Sequence, residues 1–277
     1  MPDDIAYVSV KDFMSPGISS AVELPFNPKG YTKNEKEEPR AFITLSGAGS
    51  MRFRWNETNS VRNSFFSAFL SDSHKLFPLE LIHSQDVFSA AVSTPWENMR
   101  GDGIITSDPL CVPVITAADC MPVYLFNPVS FCFGVLHSGW KGTGIIRKAL
   151  ELAKKKYGAK AEDFHVILGP HIQSCCYTVE EERASYFAEN FGASCITRGE
   201  NEPPRLSLLN ANLTILEHSG IPENHIACFT DCTCCSKNEG RPYLGSFRRE
   251  TQNLLEKLSI EEKSRYFTPM AAFMYMK

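Results

Sequence analysis

The sequence predicts a single domain in which helices and strands are mixed, and three observations carry that reading. A chain of 277 residues and 31.0 kDa is long enough to bury roughly 70 to 75% of its unfolded surface, so no metal or disulfide is needed merely to hold a core. Its 43% hydrophobic and 22% charged residues are those of an ordinary globule, which excludes collagenous, disordered and coiled-coil architectures. Short runs rich in Val, Ile, Leu and Phe and bounded by Pro or Gly alternate with stretches of helical spacing, without internal repeats, low-complexity tracts or long linkers.

Taken in order, residues 1–40 mix short apolar pieces with Pro and Gly and end in the solvated turn KNEKEEPR. They are expected to form an irregular entry segment, with residues 41–277 as the domain proper. AFITL (41–45) reads as a strand that turns at SGAGS. Over 60–73, Val61, Phe65, Phe66 and Phe69 fall on one helical face and form a core stripe. The segments 79–92 (LELIHSQDVFSAAV), 103–106 (GIIT), 112–128 (VPVITAADCMPVYLFNP) and 130–140 (SFCFGVLHSGW) read as strands buried on both faces. A helix over 143–157 turns Ile145, Ile146, Ala149, Leu150 and Ala153 inward. Lys154, Lys155 and Lys156 suit the negative end of its dipole, and Gly158 stops it. A strand (164–169), a loop (PHIQSCCY) and a helix closing on Gly192 (180–192) follow. The remainder reads as a helix at 206–220, a strand at 225–231, a helix at 250–258 and a last strand at 269–276.

Composition also narrows the partners. With 28 basic and 32 acidic residues the net charge is -4, which gives no general field for drawing in nucleic acid or acidic lipid. No stretch approaches the roughly 20 apolar residues of a spanning helix, so no membrane partner is expected. The N-terminus MPDDIAYVSVKDF is acidic where a signal peptide is basic and lacks an apolar h-region, so the expected compartment is the cytoplasm. There the ten cysteines stay reduced, and Cys111, Cys132 and Cys195, inside apolar runs, are expected to be core residues.

Three residues on buried-looking segments stand out: His83 in LIHSQ, Cys120 in TAADC and His137 in LHSGW. Imidazole and thiolate donors suit Zn²⁺ or copper. No short fixed spacing links the three, and a structural role for each is the competing reading. Each lies at or near the downstream end of an apolar run, where side chains from rigid elements converge on clefts. Three protein ligands leave a fourth tetrahedral position open, the composition of a catalytic metal site. A metal there can activate water or polarise a substrate oxygen.

HSGWKGT (137–143), TAADCMPV (116–123), GDGIIT (101–106), GPHIQSCCYTV (169–179) and SFRRE (246–250) together resemble, in order, the motifs of the multicopper-oxidase-like laccase-domain family. The resemblance runs from about residue 41 to the C-terminus. It implies an α+β fold, a single-domain α/β/β/α sandwich with mixed β-sheets, and a metal triad on His83, Cys120 and His137 holding zinc, with copper as the other possible ion. It also implies purine nucleosides and phosphate as substrates. The implied reactions are phosphorolysis of adenosine, inosine, guanosine or methylthioadenosine to free base and ribose 1-phosphate, together with adenosine deamination. A monomer or small homo-oligomer is expected.

Several residues depart from the family pattern. Lys141 replaces the arginine that usually follows Gly-Trp, keeping the charge but losing the two-pronged donor. Leu81 stands for Gln, Thr178 for an acidic residue and Glu250 for Asp, and no clear Thr-Gly-Arg follows the double arginine.

Lys141, Arg248 and Arg249 are the expected phosphate contacts, although if the arginine pair lies on a strand only one faces the cleft. Asp119, beside Cys120, is a candidate proton carrier, its competing role being to turn the chain. Cys175 is expected to line the pocket, and His171 is a weaker candidate. Cys232 and Cys235 form a Cys-x-x-Cys with Cys234 between them and Cys228 upstream, which suggests a zinc knuckle or redox pair. No second pair follows downstream, so Cys175 and Cys176 complete a four-sulfur site only if the fold brings them close.

Other uses of the same atoms stay open. In one, Cys120 is a thiolate nucleophile with His137 as base, as in a Cys-His hydrolase or deamidase, and the laccase-domain fold resembles that of a bacterial toxin deamidase. Copper-dependent phenol oxidation is weakened by a total of only seven histidines and no His-x-His pair. A non-catalytic binding module is the remaining alternative.

Overall fold

The strongly apolar runs become strands because both of their faces are covered. In a computed structural model the described residues are 4–15, 20–28, 38–254, 258–263 and 265–277. The strands in chain order are β1 (Ala6–Val8), β2 (Ala21–Leu24), β3 (Arg40–Thr44), β4 (Lys75–Pro78), β5 (Val87–Ala90), β6 (Gly103–Thr106), β7 (Cys111–Ala117), β8 (Met121–Asn127), β9 (Cys132–Ser138) and β10 (His165–Leu168). After them come the short pair β11 (Ile196–Thr197) and β12 (Arg205–Leu206), then β13 (Ile226–Phe229), the short pair β14 (Lys237–Asn238) and β15 (Arg241–Pro242), and β16 (Met270–Tyr275). The helices are α1 (Ser60–Phe69), α2 (Ile145–Tyr157), α3 (Glu181–Phe191), α4 (Leu208–His218) and the short α5 (Phe247–Thr251) and α6 (Ile260–Lys263).

Two mixed sheets result. A seven-stranded sheet has the order β1-β13-β10-β8-β9-β6-β5, and a five-stranded sheet the order β2-β3-β16-β7-β4. In the larger sheet β8, β9 and β6 are antiparallel neighbours, whereas β5 with β6 and β10 with β13 are parallel. Period-2 alternation then sorts the side chains. Met121, Val123 and Leu125 of β8 pack on Ile145, Ala149, Phe187 and Ile215 of α2, α3 and α4. The alternate residues Tyr124 and Phe126, with Phe133 and Val135, pack on Ile43, Ile115, Met270 and Ala272 of the smaller sheet. That sheet's outer face, Phe42, Val114 and Phe273, is covered by Phe66 of α1. The layer order is therefore helix, sheet, sheet, helices, the sandwich that the sequence motifs implied. Each fully buried Phe, Leu or Ile contributes about 1.5 to 3 kcal/mol, so the two sheets, each covered on both faces, carry much of the stability. No helix among the described residues is long and apolar enough to cross a membrane.

The helix starts and stops follow their local chemistry. Asn59 caps α1 by accepting from the Arg62 N–H at 3.0 Å. Gly158 takes φ 67° beyond α2, and its N–H donates to the Lys154 carbonyl. The α2 face predicted to point inward, Ile145 to Ala153, is buried.

Several expectations fail. Residues 1–40 are not simply irregular: β1 is the edge of the larger sheet against β13, and β2 pairs with β3 in the smaller one. Most of the KNEKEEPR turn lies outside the described residues. Segment 79–92 is a loop followed by β5, and 112–128 is two strands belonging to different sheets. Val61 is 47% exposed, whereas Arg62 is buried, its guanidinium lying over the rings of Phe53 and Phe66. Cation–π attraction makes that burial tolerable. The helix expected over 250–258 is instead α5, which ends at Thr251; residues 255–257 lie outside the described residues.

Candidate metal centre and cleft

The strand register brings the candidate ligands together. Cys120 immediately precedes β8, Asp102 immediately precedes β6, and His137 is the penultimate residue of β9. Because β9 runs antiparallel to both neighbours, with Pro122 opposite His137 and Gly103 opposite Leu136, these three positions share one edge of the sheet. His83 reaches the same place from the loop between β4 and β5. His83 and Cys120 thus lie on the two connections, β4 to β5 and β7 to β8, by which the chain passes from the smaller sheet to the larger.

The donor atoms of His83, Cys120 and His137 all lie within 4.8 Å of one another. The two imidazoles meet edge to face with centroids 5.0 Å apart. Gly139 is required by close approach: a Cβ there would stand 2.5 Å from the Cys120 Sγ. The fold thus brings the three side chains that stood out in the sequence into one cluster.

Asp102 organises the cluster, and the sequence reading missed it. Its carboxylate is fully buried and accepts from the His83 N–H at 3.0 Å, the Ser84 N–H at 2.6 Å and the Ser84 hydroxyl at 2.9 Å. His137 Nδ1 donates to it at 2.9 Å. A carboxylate only accepts, so Nδ1 carries the proton and Nε2 is left as the ligand atom. Burial pushes the Asp102 carboxyl up, but His137 and Ser84 outweigh it and hold the group below its ordinary range. The same contacts stabilise His83 at φ 58°, a left-handed conformation that is costly for a residue other than glycine. A signal was available in GDGIIT, an acid directly ahead of a wholly apolar strand.

The thiol and imidazole perturb one another. Burial disfavours the Cys120 thiolate, but the neighbouring His137 and His83 overcome it and draw the thiol down to about 6. Burial likewise disfavours the His137 cation, yet Cys120 and Asp102 raise that imidazole to about 10. Two imidazoles and an easily ionised thiol, oriented from behind by a carboxylate, fit a zinc ion with one position open. They also fit a thiolate–imidazolium pair.

The remaining candidates divide. Asp119, at φ 87°, has both carboxylate oxygens engaged, one by the Thr233 hydroxyl at 2.6 Å and the other by the Arg248 N–H at 2.6 Å. Arg248 and Arg249 lie on the helix α5, not on a strand. The Arg248 guanidinium donates to the Thr178 hydroxyl and carbonyl at 3.0 and 3.1 Å and lies 5.8 Å from the centroid of the Tyr177 ring. Arg249 is turned away, donating to the carbonyls of Thr233, Cys234 and Leu244 and to Glu250. Lys141 is exposed, with Nζ 5.6 Å from the centroid of the Trp140 ring. It lines a pocket of about 310 Å³ with Trp140, Arg183, Tyr186, Glu180 and Glu182. The Arg183 guanidinium lies 3.7 Å from the Trp140 centroid, and its Nη1 donates to the Tyr177 hydroxyl at 3.5 Å. Sequence reasoning did not single out Trp140, Tyr177 or Arg183, although Trp140 and Tyr177 sit inside quoted motifs.

His171 is fully buried, its Nδ1–H donating to the Gly169 carbonyl at 2.8 Å and its Nε2 accepting from Gln173 at 3.1 Å. Burial, only partly offset by that carbonyl, lowers it to about 4, so it is a neutral structural histidine. Cys175 joins neither the triad nor the residues of the Trp140 pocket; its sulfur meets other cysteines.

Comparison with known proteins identifies relatives of the chain. The chain is 31% identical over 156 residues to a mouse (Mus musculus) protein named purine nucleoside phosphorylase LACC1, a match covering 55% of this chain and 35% of the relative. Against a purine nucleoside phosphorylase of Borreliella burgdorferi it is 31% identical over 189 residues, 65% of this chain and 77% of the relative. This chain therefore matches only about a third of the mouse protein's length but most of the bacterial one. The solved structure of the Bacillus licheniformis protein YfiH superposes with a TM-score of 0.77 at 21% identity, covering 94% of this chain and 98% of that one. Residues 56–254, which contain His83, Cys120 and His137 together with Asp102 and both arginines of α5, match the profile described as multi-copper polyphenol oxidoreductase laccase, and the chain belongs to that family.

Proposed function

We propose that the protein is a zinc-dependent purine nucleoside phosphorylase. It would convert adenosine, inosine, guanosine or methylthioadenosine and phosphate to the free base and ribose 1-phosphate, and would also deaminate adenosine. The observation that carries the reading is the three-donor cluster backed by Asp102, with Trp140 and Lys141 of the neighbouring pocket following His137 closely in the chain. The names of the relatives support the substrate class.

His83, Cys120 and His137 would hold the ion, with copper as the alternative, and Asp102 fixes the His137 tautomer and the His83 loop. Zinc bound there supplies Lewis acidity toward a substrate oxygen or water. Phosphorolysis needs phosphate held against the anomeric carbon while positive charge builds on the sugar. Lys141 and Arg248 are assigned that role, Lys141 from the open rim and Arg248 from the side of Tyr177 and Thr178. Arg249, expected from sequence to share it, is reassigned to anchoring the loop that carries Thr233, because its donors already bind carbonyls and Glu250. Asp119 is likewise read as the tie between the Cys120 turn and α5, since both of its oxygens already accept. Trp140 and Tyr177 offer aromatic surface to a purine. The test is phosphate-dependent release of free base from inosine or adenosine: chelation and His83→Ala should each abolish it, and release that survives metal stripping would overturn the proposal.

A second reading rests on the relay Cys120–His137–Asp102, which has the nucleophile, base and orienting acid of a Cys-His hydrolase or deamidase. Alkylation of Cys120 by iodoacetamide, blocked by added zinc, would favour the metal centre. A trapped acyl-enzyme on Cys120 would favour the hydrolase.

A further inference from the structure

A second cluster lies apart from the triad. The sulfurs of Cys175, Cys176, Cys232 and Cys235 all lie within 4.8 Å of one another. Cys175 Sγ is 3.7 Å from Cys235 Sγ and 3.8 Å from Cys176 Sγ. A disulfide would require about 2.05 Å. Four sulfurs placed tetrahedrally at the usual zinc–sulfur distance of about 2.3 Å are separated by about 3.8 Å, which these two spacings match.

Two rigid turns present these sulfurs. The turn at 174–176 is closed by the Cys176 and Tyr177 N–H groups donating to the Gln173 carbonyl at 2.9 and 3.0 Å. The Cys-x-x-Cys turn is closed by the Cys232 N–H donating to Ser236 Oγ at 2.9 Å and the Ser236 N–H donating to the Cys232 carbonyl at 2.9 Å. An isolated parallel bridge between His171 and Cys232, with the Thr233 N–H donating to the His171 carbonyl at 3.1 Å, fixes one turn against the other.

The surroundings of Cys232 suit a sulfur that carries charge. The Gln173 N–H donates to Cys232 Sγ at 3.4 Å. An amide donor on that sulfur complements a thiolate. Each turn also carries a guanidinium on its carbonyls: Arg205 on Cys175 at 2.8 Å, and Arg249 on Cys234 at 3.2 Å.

We propose that Cys175, Cys176, Cys232 and Cys235 form a closed four-sulfur zinc site that staples the Cys-Cys turn to the Cys-x-x-Cys turn. Four thiolates complete the tetrahedron and leave no position for substrate, so the site is structural and distinct from the open His83–Cys120–His137 centre. Its place gives it a use. One turn leads into Tyr177 and Thr178, on which the Arg248 guanidinium rests, and the other carries Thr233, which holds Asp119 beside Cys120. The ion would lock one wall of the cleft onto the floor that bears the triad.

The experiment is metal analysis of the full-length chain grown in zinc-supplemented medium and purified without oxygen. Two zinc equivalents per chain are expected in the natural sequence, one in His83→Ala, one in Cys235→Ser and none when the two substitutions are combined. X-ray absorption on His83→Ala should show an all-sulfur shell at about 2.3 Å. Cys234→Ala, whose sulfur is outside the cluster, should retain both ions. Should Cys235→Ser not fold, the natural chain gives the same answer, because zinc should protect the four thiols from alkylation until a strong chelator is added. The site is overturned by a His83→Ala protein without tightly held zinc and with these thiols freely alkylated, by a disulfide between any two of them, or by a mixed nitrogen–sulfur shell. Iron in an all-sulfur shell would overturn the zinc assignment.

Discussion

Asp102 shows how much one buried side chain decides. It binds the backbone of one ligand loop and the ring of another ligand. Asp102→Asn keeps the shape but weakens both contacts, so zinc affinity at the triad should fall roughly 10- to 100-fold, measured by competition with a chelator. The thiol gives a second test. A depressed thiol contributes stability fully above its ordinary value of 9.0 and loses that contribution as pH falls through about 6. A raised imidazole contributes fully below its ordinary 6.5 and loses that contribution as pH rises through about 10. Alkylation of the metal-free protein should accordingly slow as pH drops through about 6, and Cys120→Ser should lack that phase. A rate that changes only near 9 would disprove the pairing.

At the scale of elements, the fold was readable wherever composition and boundary agreed. GIIT became β6 at its expected limits, and the inward face of α2 was read residue by residue. It was unreadable where a tertiary contact overrode local pattern. The 79–92 run is apolar enough for a strand, but Asp102, distant in sequence, captures the amides of His83 and Ser84 and holds them in a loop. The 112–128 run lacks any Gly at its break, and Asp119 supplies the positive φ instead. Similarly, the triad was legible from donor chemistry, whereas the four-sulfur cluster required parallel pairing of β10 with β13 to bring together turns about 60 residues apart. Gly139 connects strand end to site. Gly139→Ala should expel Cys120 from its place and abolish zinc binding at the triad, checked by metal content, while the circular-dichroism spectrum stays native.

Across the whole molecule, the two sheets are joined by apolar packing and by polar contacts among the described residues. One is the fully buried Tyr124 of the larger sheet, whose hydroxyl donates to the Phe42 carbonyl of the smaller at 2.9 Å. Tyr124→Phe should cost about 0.5 to 1.5 kcal/mol in a urea titration, because it removes a buried hydrogen bond without changing the ring. The switch of the chain between sheets at both ligand-bearing connections has its own outcome. A centre seated on such seams has no independent scaffold: if the layers slip, its donors separate with them. During gradual heating of the cobalt-loaded protein, the visible absorbance of the ion and the far-ultraviolet signal of the backbone should vanish together. Early bleaching in a still-native chain would show that the centre is merely a surface attachment.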